Sequence, residues 1–347
     1  MLTLGQASAI TKTFAKWTIG IIGAILLILI AFRVGKIVKE IISPTPPAPP
    51  TVTFGKLPKI AFPEKNIEGQ FSFRIDTLTG ALPSFSDRAK VFKMVPDRPD
   101  LLATQRAKDK VTKVGFKADS IQVSENIYEW TDDTPLARKL VLNTLTSNFT
   151  LTSSFFTDQT ILAATNLPDQ NKAVSLAQSF LSNMSSLPVD LDAEKTKATL
   201  FSIRNGTLVP STSYSETQIV RVDFFQKNIE KMPIYYSNPV VPNISFLVGG
   251  GENDPQIVQA NYTYQGVTEE SATYPIKTAQ EAYSELEEGN AYTASNNKPG
   301  TVSITNIFLA YYIGEERQEY LLPIVVFEGE NNFVAYISAV KDGWLSN

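Results

Sequence analysis

Sixteen consecutive residues without a charge, Trp17 to Phe32 (WTIGIIGAILLILIAF), constrain this chain more than any other feature. Ten of them are Ile, Leu or Phe, and no polar face interrupts the run, so it does not read as a half-wetted surface helix. At 1.5 Å per residue it spans about 24 Å as a helix, slightly short of a hydrocarbon core of about 30 Å. Lys16 and Arg33 flank the run and can snorkel, which extends the expected span to residues 14–34. Trp17 and Phe32 stand where interfacial aromatics belong. A cleaved signal peptide would need a small-x-small site next, but Arg33, Val34, Gly35 and Lys36 come instead. The run therefore reads as an uncleaved transmembrane signal anchor behind a short cytoplasmic head, residues 1–13.

Positive charges flank the run almost equally, with Lys12 and Lys16 on one side and Arg33, Lys36 and Lys39 on the other. The stalk and the charge of the body break the tie. Residues 35–58 read as a basic juxtamembrane segment and stalk, in which Ser43 to Thr51 (SPTPPAPPT) favours extended polyproline II. Five of the 31 Lys and Arg, and one of the 35 Asp and Glu, lie in the first 40 residues, which leaves the rest with a formal charge of -8. Such a body is repelled by the anionic cytoplasmic leaflet. The expected topology is single-pass, with the body extracytoplasmic.

Histidine and cysteine are both absent. Disulfides, thiolate nucleophiles, Ser-His-Asp catalysis and zinc sites of His or Cys are excluded with them. A body of some 300 residues has core enough to dispense with such staples, which fits a prokaryotic cell-envelope protein.

Three helices punctuate the body. One begins at Pro99-Asp100 and carries Ala103, Ala107, Val111 and Val114 before Gly115. A second begins at Pro168-Asp169 and carries Ala173, Ala177, Phe180, Leu181 and Met184; a third starts near Pro275 with Thr278 as N-cap, carries Ala279, Ala282, Tyr283 and Leu286, and stops at Gly289. Each helix leads into a run of strands. Residues 70–77 and 89–94 read as a pair, 120–130 and 138–156 as strands after the first helix, and 199–204, 216–225, 233–236, 244–249 and 256–264 as strands after the second. Residues 302–313, 320–327 and 333–340 form the clearest meander, with Pro323 marking an edge or a bulge. The expected fold is α+β, an N-terminal transmembrane helix followed by tandem helix-plus-antiparallel-sheet modules. The expected domains are 59–190 and 191–347.

Four segments near the end, YPIKTAQEAYSELEEGN, ITNIFLAYY, YLLPIVVFEG and FVAYISAV, resemble a PepSY-type module covering about 274–347, and the chain is similar to membrane-anchored regulatory proteins of the YycH/YycI type. The matching residues are Thr278, Ala279 and Ala282 at the helix start, Leu321, Pro323, Ile324, Val326 and Phe327 in a strand, and Gly329 at its turn. The resemblance implies an anchored, extracytoplasmic, non-catalytic protein that modulates a membrane or envelope partner. It also makes the units at 99–156 and 168–226 candidate divergent copies.

Candidate chemistry is sparse. Acidic clusters occur at Asp132-Asp133, Asp190 with Asp192 and Glu194, Glu252 with Asp254, Glu269-Glu270, Glu285 with Glu287-Glu288, and Glu315-Glu316. A glycosidase needs two carboxylates across a cleft, which neighbours in sequence do not provide. Asp190-x-Asp192-x-Glu194 and Glu252-Asn253-Asp254 have the residue types for calcium without the spacing of an EF-hand loop, so solvated turns are the better reading. Gly249-Gly250-Gly251 lacks the Lys-Ser/Thr of a phosphate loop. The basic stretch Arg106 to Lys117 reads as a solvated helix face, and the acidic body disfavours nucleic acid. Tyr235-Tyr236 and Tyr311-Tyr312 are each expected to turn one ring outward, as alternation in a strand requires. No catalytic residue, metal ligand or cofactor site is assigned. The expected function is that of a binding or regulatory envelope module; a structural component of a surface or secretion assembly and a carboxylate-dependent cell-wall hydrolase are the alternatives.

Overall fold

The computed structural model describes residues 26–35, 49–64, 71–134, 136–295 and 299–346. The chain divides into two compact units, Met1–Pro49 and Pro50–Asn347. In the first, helix α1 covers residues 26–35. Ten residues rise about 15 Å, half of a bilayer core, and no helix among the described residues is long and apolar enough to cross a membrane. The expected transmembrane helix over 14–34 is therefore not supported. Its residues 14–25, the head at 1–13 and most of the stalk lie outside the described residues.

The second unit corrects the tandem α+β expectation. It is mostly sheet, and its strands fall into two large sheets rather than one small sheet per helix. The strands are β1 (Phe71–Ile75), β2 (Arg88–Met94), β3 (Ile121–Ser124), β4 (Ile127–Thr131), β5 (Lys139–Asn143), β6 (Phe149–Thr152), β7 (Lys197–Arg204), β8 (Thr207–Pro210) and β9 (Ile219–Phe224). Then come β10 (Ile234–Tyr236), β11 (Ile244–Gly249), β12 (Gln256–Tyr262), β13 (Val267–Pro275), β14 (Tyr292–Ser295), β15 (Gly300–Ile313), β16 (Tyr320–Gly329) and β17 (Phe333–Ser338). The helices are α2 (Ala103–Thr112), α3 (Gln159–Leu162), α4 (Gln170–Asn183) and α5 (Ala279–Glu287).

One sheet has nine strands in the order β3-β4-β5-β6-β12-β11-β9-β7-β8, with every neighbour antiparallel. Alternation in β9 sends Val220, Val222 and Phe224 to one face, where they pack with Trp130, Leu140 and Phe246 beneath Ala107 and Val111 of α2 and Ala173, Ala177 and Phe180 of α4. Both helices thus lie on this single sheet. The periodicity of each helix is real, but neither has a module to itself. Ile219 points the other way, into a second core with Leu247 and Val258 under Phe155 and Ile161. Residue 190 lies between α4 and β7, which share this sheet.

The other sheet has eight strands: β1-β15-β16-β17-β14, with β10 also on β15 and with β2 bridging β13 and β16. β1 and β10 run parallel to β15, so the sheet is mixed. β1 and β2, expected to pair with each other, instead pair with strands far along the chain. Residues 120–130 hold a hairpin rather than one strand. Pro323 is buried inside β16, opposite Tyr311. It sits where the partner along one side changes from β2 (Leu321 opposite Phe92) to β17 (Ile324 opposite Ser338), so its missing amide donor leaves no gap in the ladder.

Helix α5 covers one face of this sheet. Thr278 caps it through a reciprocal capping box with Glu281, and Ala282, Tyr283 and Leu286 pack on Ile304, Phe327, Ala335 and Ile337. The residues that carry the PepSY resemblance act here in packing: Gly329, for instance, would bring a Cβ within 2.7 Å of the Ser303 carbonyl. On the opposite face Tyr292, Tyr312 and Tyr336 form an aromatic layer. Phe62 stacks on Tyr292 at 5.0 Å between centroids and meets Tyr312 edge-on at 4.9 Å. The segment that brings Phe62 there is docked from Thr51 onward: the Val52 amide donates to the Thr273 carbonyl, and Leu57 is fully buried beside Leu345.

Candidate functional site

Most of the acidic clusters are explained by their local partners. Asp132 is buried and accepts from the backbone and guanidinium of Arg138, while Asp133 pairs with Lys117 at the surface. Asp190 accepts from Gln226 and from the Tyr264 hydroxyl; Asp192 accepts from the amide of Glu194 in a local turn. Glu270 lies 3.8 Å from Lys93, and Glu285 holds the Lys277 ammonium at 2.7 Å together with Asp342 at 3.1 Å. Among the described residues no group of three acidic side chains could hold a metal ion. The Gly249–Gly251 loop is a packing device: a Cβ on Gly250 would fall 2.7 Å from Asn166 Oδ1, and the Gly251 amide donates to that same oxygen.

Of the two tyrosine pairs, Tyr311–Tyr312 does not alternate in and out as expected. Tyr311 and Tyr312 are both fully buried, the first donating to the Lys90 carbonyl and the second bonded to the Ser237 hydroxyl at 2.8 Å. Two-sided burial removes the outward position: each face of the sheet is covered, so both rings are inside. Burial pushes the Tyr312 phenol up to about 12. Tyr236 is buried too, and its hydroxyl accepts from the Gln226 amide. Tyr235 alone keeps contact with solvent.

That residue leads to the site. Along its outer edge β15 has β1 beside residues 300–304 and β10 beside residues 311–313. Between them, residues 305–310 have no strand neighbour on that side among the described residues. The Asp76 amide donates to the Ile304 carbonyl at one end of the gap, and the Tyr311 amide donates to the Pro233 carbonyl at the other. An extra residue, Thr305, bulges the strand here, since Ile304 faces Gly329 and Asn306 faces Glu328. Such a bulge reverses which residues face the edge. Counting back from Tyr311, whose amide faces outward, Ile307 and Leu309 turn their N–H and C=O groups to the unpaired side, where Ile307 is buried and Leu309 half-buried.

A groove of about 730 Å³ runs beside this gap, lined by Tyr235, Val240, Ser295, Thr305, Glu328 and Val334 among others. Val240 is 58% exposed at its rim. The Tyr235 ring lies 5.7 Å from both Phe308 and Tyr336, and its hydroxyl donates to Glu328 Oε1 at 2.7 Å. Burial and the adjoining carboxylate hold the Tyr235 phenol well above its ordinary value. The second Glu328 oxygen accepts from the Asn306 amide at 3.3 Å. Both donors are neutral, and among the described residues Glu328 enters no ion pair with Lys or Arg. Lys195, also on the lining, is engaged by Asn228 and lies 3.9 Å from Asp192. Nothing here is arranged as nucleophile and base. What the site offers is an open strand edge, an aromatic wall and one half-buried carboxylate without a counter-ion.

No protein-family model matches the chain, and no curated protein is similar enough to it to count as a relative. Among solved structures, an uncharacterized protein from Eubacterium rectale ATCC 33656 is similar at a TM-score of 0.37 and 11% identity, over 80% of this chain and 90% of that one.

Proposed function

We propose that this protein is a non-catalytic binding module that captures an extended segment of a partner protein at the open edge of β15. The observation that carries this reading is the gap between β1 and β10, where residues 305–310 of β15 have no strand neighbour on that side among the described residues, and where Thr305 also lines an aromatic groove. Strand addition at such an edge takes its affinity from main-chain bonds and its selectivity from neighbouring pockets. The acidic body, which an anionic cytoplasmic leaflet would repel, supports an extracytoplasmic place in a prokaryotic cell envelope. The PepSY-like resemblance of residues 274–347 supports a regulatory partner there.

Photo-crosslinking from membranes tests the reading. A photoreactive side chain at Asn306 is expected to trap a discrete adduct, and the same group at Thr150, on a distant strand, is not. Equal labelling from both positions, or none from Asn306, would sink the proposal.

A further inference from the structure

The chemistry of the groove names the kind of segment it takes, and this inference rests on the strand-edge reading above. We infer that the occupant is an extended peptide whose Lys or Arg side chain reaches across β15 to the Glu328 carboxylate. Three observations converge on it. Glu328 is half-buried, and among the described residues its side chain accepts from the neutral donors Tyr235 and Asn306 and enters no ion pair. A carboxylate held by neutral donors can still gain a charge-assisted hydrogen bond from an arriving cation, which is about twice as strong as a neutral one. The body around it carries an excess of acid, which draws basic partners towards it.

Distance selects the length of the side chain. A strand added beside β15 would stand one spacing from it, and Glu328 lies on β16, one spacing further in. Two spacings are about 10 Å. Lys and Arg cover that distance, counting a hydrogen bond at the end; shorter polar side chains do not. The Asn306 amide, 3.3 Å from Glu328 Oε2, is the weaker contact that a guanidinium would replace. The free stretch is short. With Asp76 and Pro233 occupying the ends of the gap, about four residues fit in register, so the recognised core is a tetrapeptide with one central cation.

Fluorescence polarisation with the full-length chain tests this, using a labelled Thr-Val-Thr-Arg-Thr-Val-Thr peptide, its Glu-for-Arg counterpart, and the Arg peptide N-methylated at alternate amides. The Arg peptide is expected to bind, the Glu peptide at least about 10-fold more weakly, and the N-methylated peptide not at all. Glu328→Gln is expected to lower Arg-peptide affinity about 10-fold. Added salt should weaken Arg-peptide binding, as a contact between opposite charges requires. Equal binding of Arg and Glu peptides, or undiminished binding by a folded Glu328→Gln chain, overturns the basic partner while leaving the strand edge standing. Absence of all peptide binding, or full binding of the N-methylated peptide, overturns the edge reading as well. A dimer in sedimentation that dissociates on Glu328→Gln but not with Arg peptide would make the occupant a second copy of the chain and end the inference.

Discussion

The Tyr235 hydroxyl donates to the Glu328 carboxylate at 2.7 Å, joining β10 to β16 across 93 residues of sequence. Removing the hydroxyl leaves that oxygen without its donor in a half-buried setting. Tyr235→Phe is therefore expected to destabilise the body by about 1–3 kcal/mol, as for hydrogen bonds to charged groups. A double-mutant cycle with Glu328→Gln, read by urea unfolding, should show positive coupling between the two. Strict additivity would mean that the contact contributes nothing in solution.

Asp223 should give a distinctive pH signature. It is fully buried on β9, accepts from the Arg221 guanidinium at 2.9 Å, and leaves its other oxygen without a partner. Burial raises its carboxyl above the ordinary value, outweighing the pull of Arg221. A raised carboxyl binds its proton more tightly in the folded state, so its contribution to stability is complete below the unfolded value, near pH 4, and is lost as pH rises through the folded value. The Tm difference between the parent and Asp223→Asn should therefore shift in favour of the parent as pH falls from 7 to 3.5. A flat or opposite trend would show that Arg221 dominates.

Glu281 has the opposite sign. The Thr278 amide, then Lys341, hold its carboxyl below the ordinary value. That stabilisation is present above the unfolded value and disappears as pH falls through the folded one. Thr278→Ala should cost about 1 kcal/mol at pH 7 by opening the helix cap. Thr278→Ser, which keeps the hydroxyl, should lose much less in the same denaturation assay.

Leu57 marks where the folded body begins to depend on its leading segment. It is fully buried, its amide donates to the Trp344 carbonyl, and its own carbonyl accepts from the Ser346 amide. Leu57→Ala is expected to cost about 2–5 kcal/mol. Trimming to Pro50 should leave the Tm of the body within a few degrees, whereas trimming to Phe71 should abolish a cooperative transition. Survival of the shorter chain would show that the Phe62 strap is dispensable.

Local patterns were legible where neighbours in sequence decide the outcome. The three helices lie within the expected stretches because Asp169 and Thr278 cap their helices and alanines recur where each helix meets a sheet. β11 spans Ile244–Gly249, the stretch expected, and glycines follow at its end. Pairing was not legible. Nothing in Phe71–Ile75 indicates that its partner is Gly300–Ile304. β13 was hidden because Glu269 and Glu270 lie in its irregular, solvent-facing part between Val267 and Ser271, and break the alternation there. The candidate site was half visible: Tyr235 stood out as one of a pair expected to turn a ring outward, but nothing in the sequence set Glu328 apart. Only the bulge at Thr305 and the distant arrival of β10 bring the two together.

The order in which the strands are made bears on how the molecule matures. All nine strands of one sheet come from residues 121–262, whereas β1 of the other must pair with a strand more than 220 residues later. At 5–20 residues per second, roughly 10 to 45 s of synthesis separate the two. During that interval Phe71 and Phe73 lack the strand they pair with, and an unpaired apolar strand invites association with other chains. Any chain interrupted before residue 300 would hold every strand of the helix-covered sheet and none of β15.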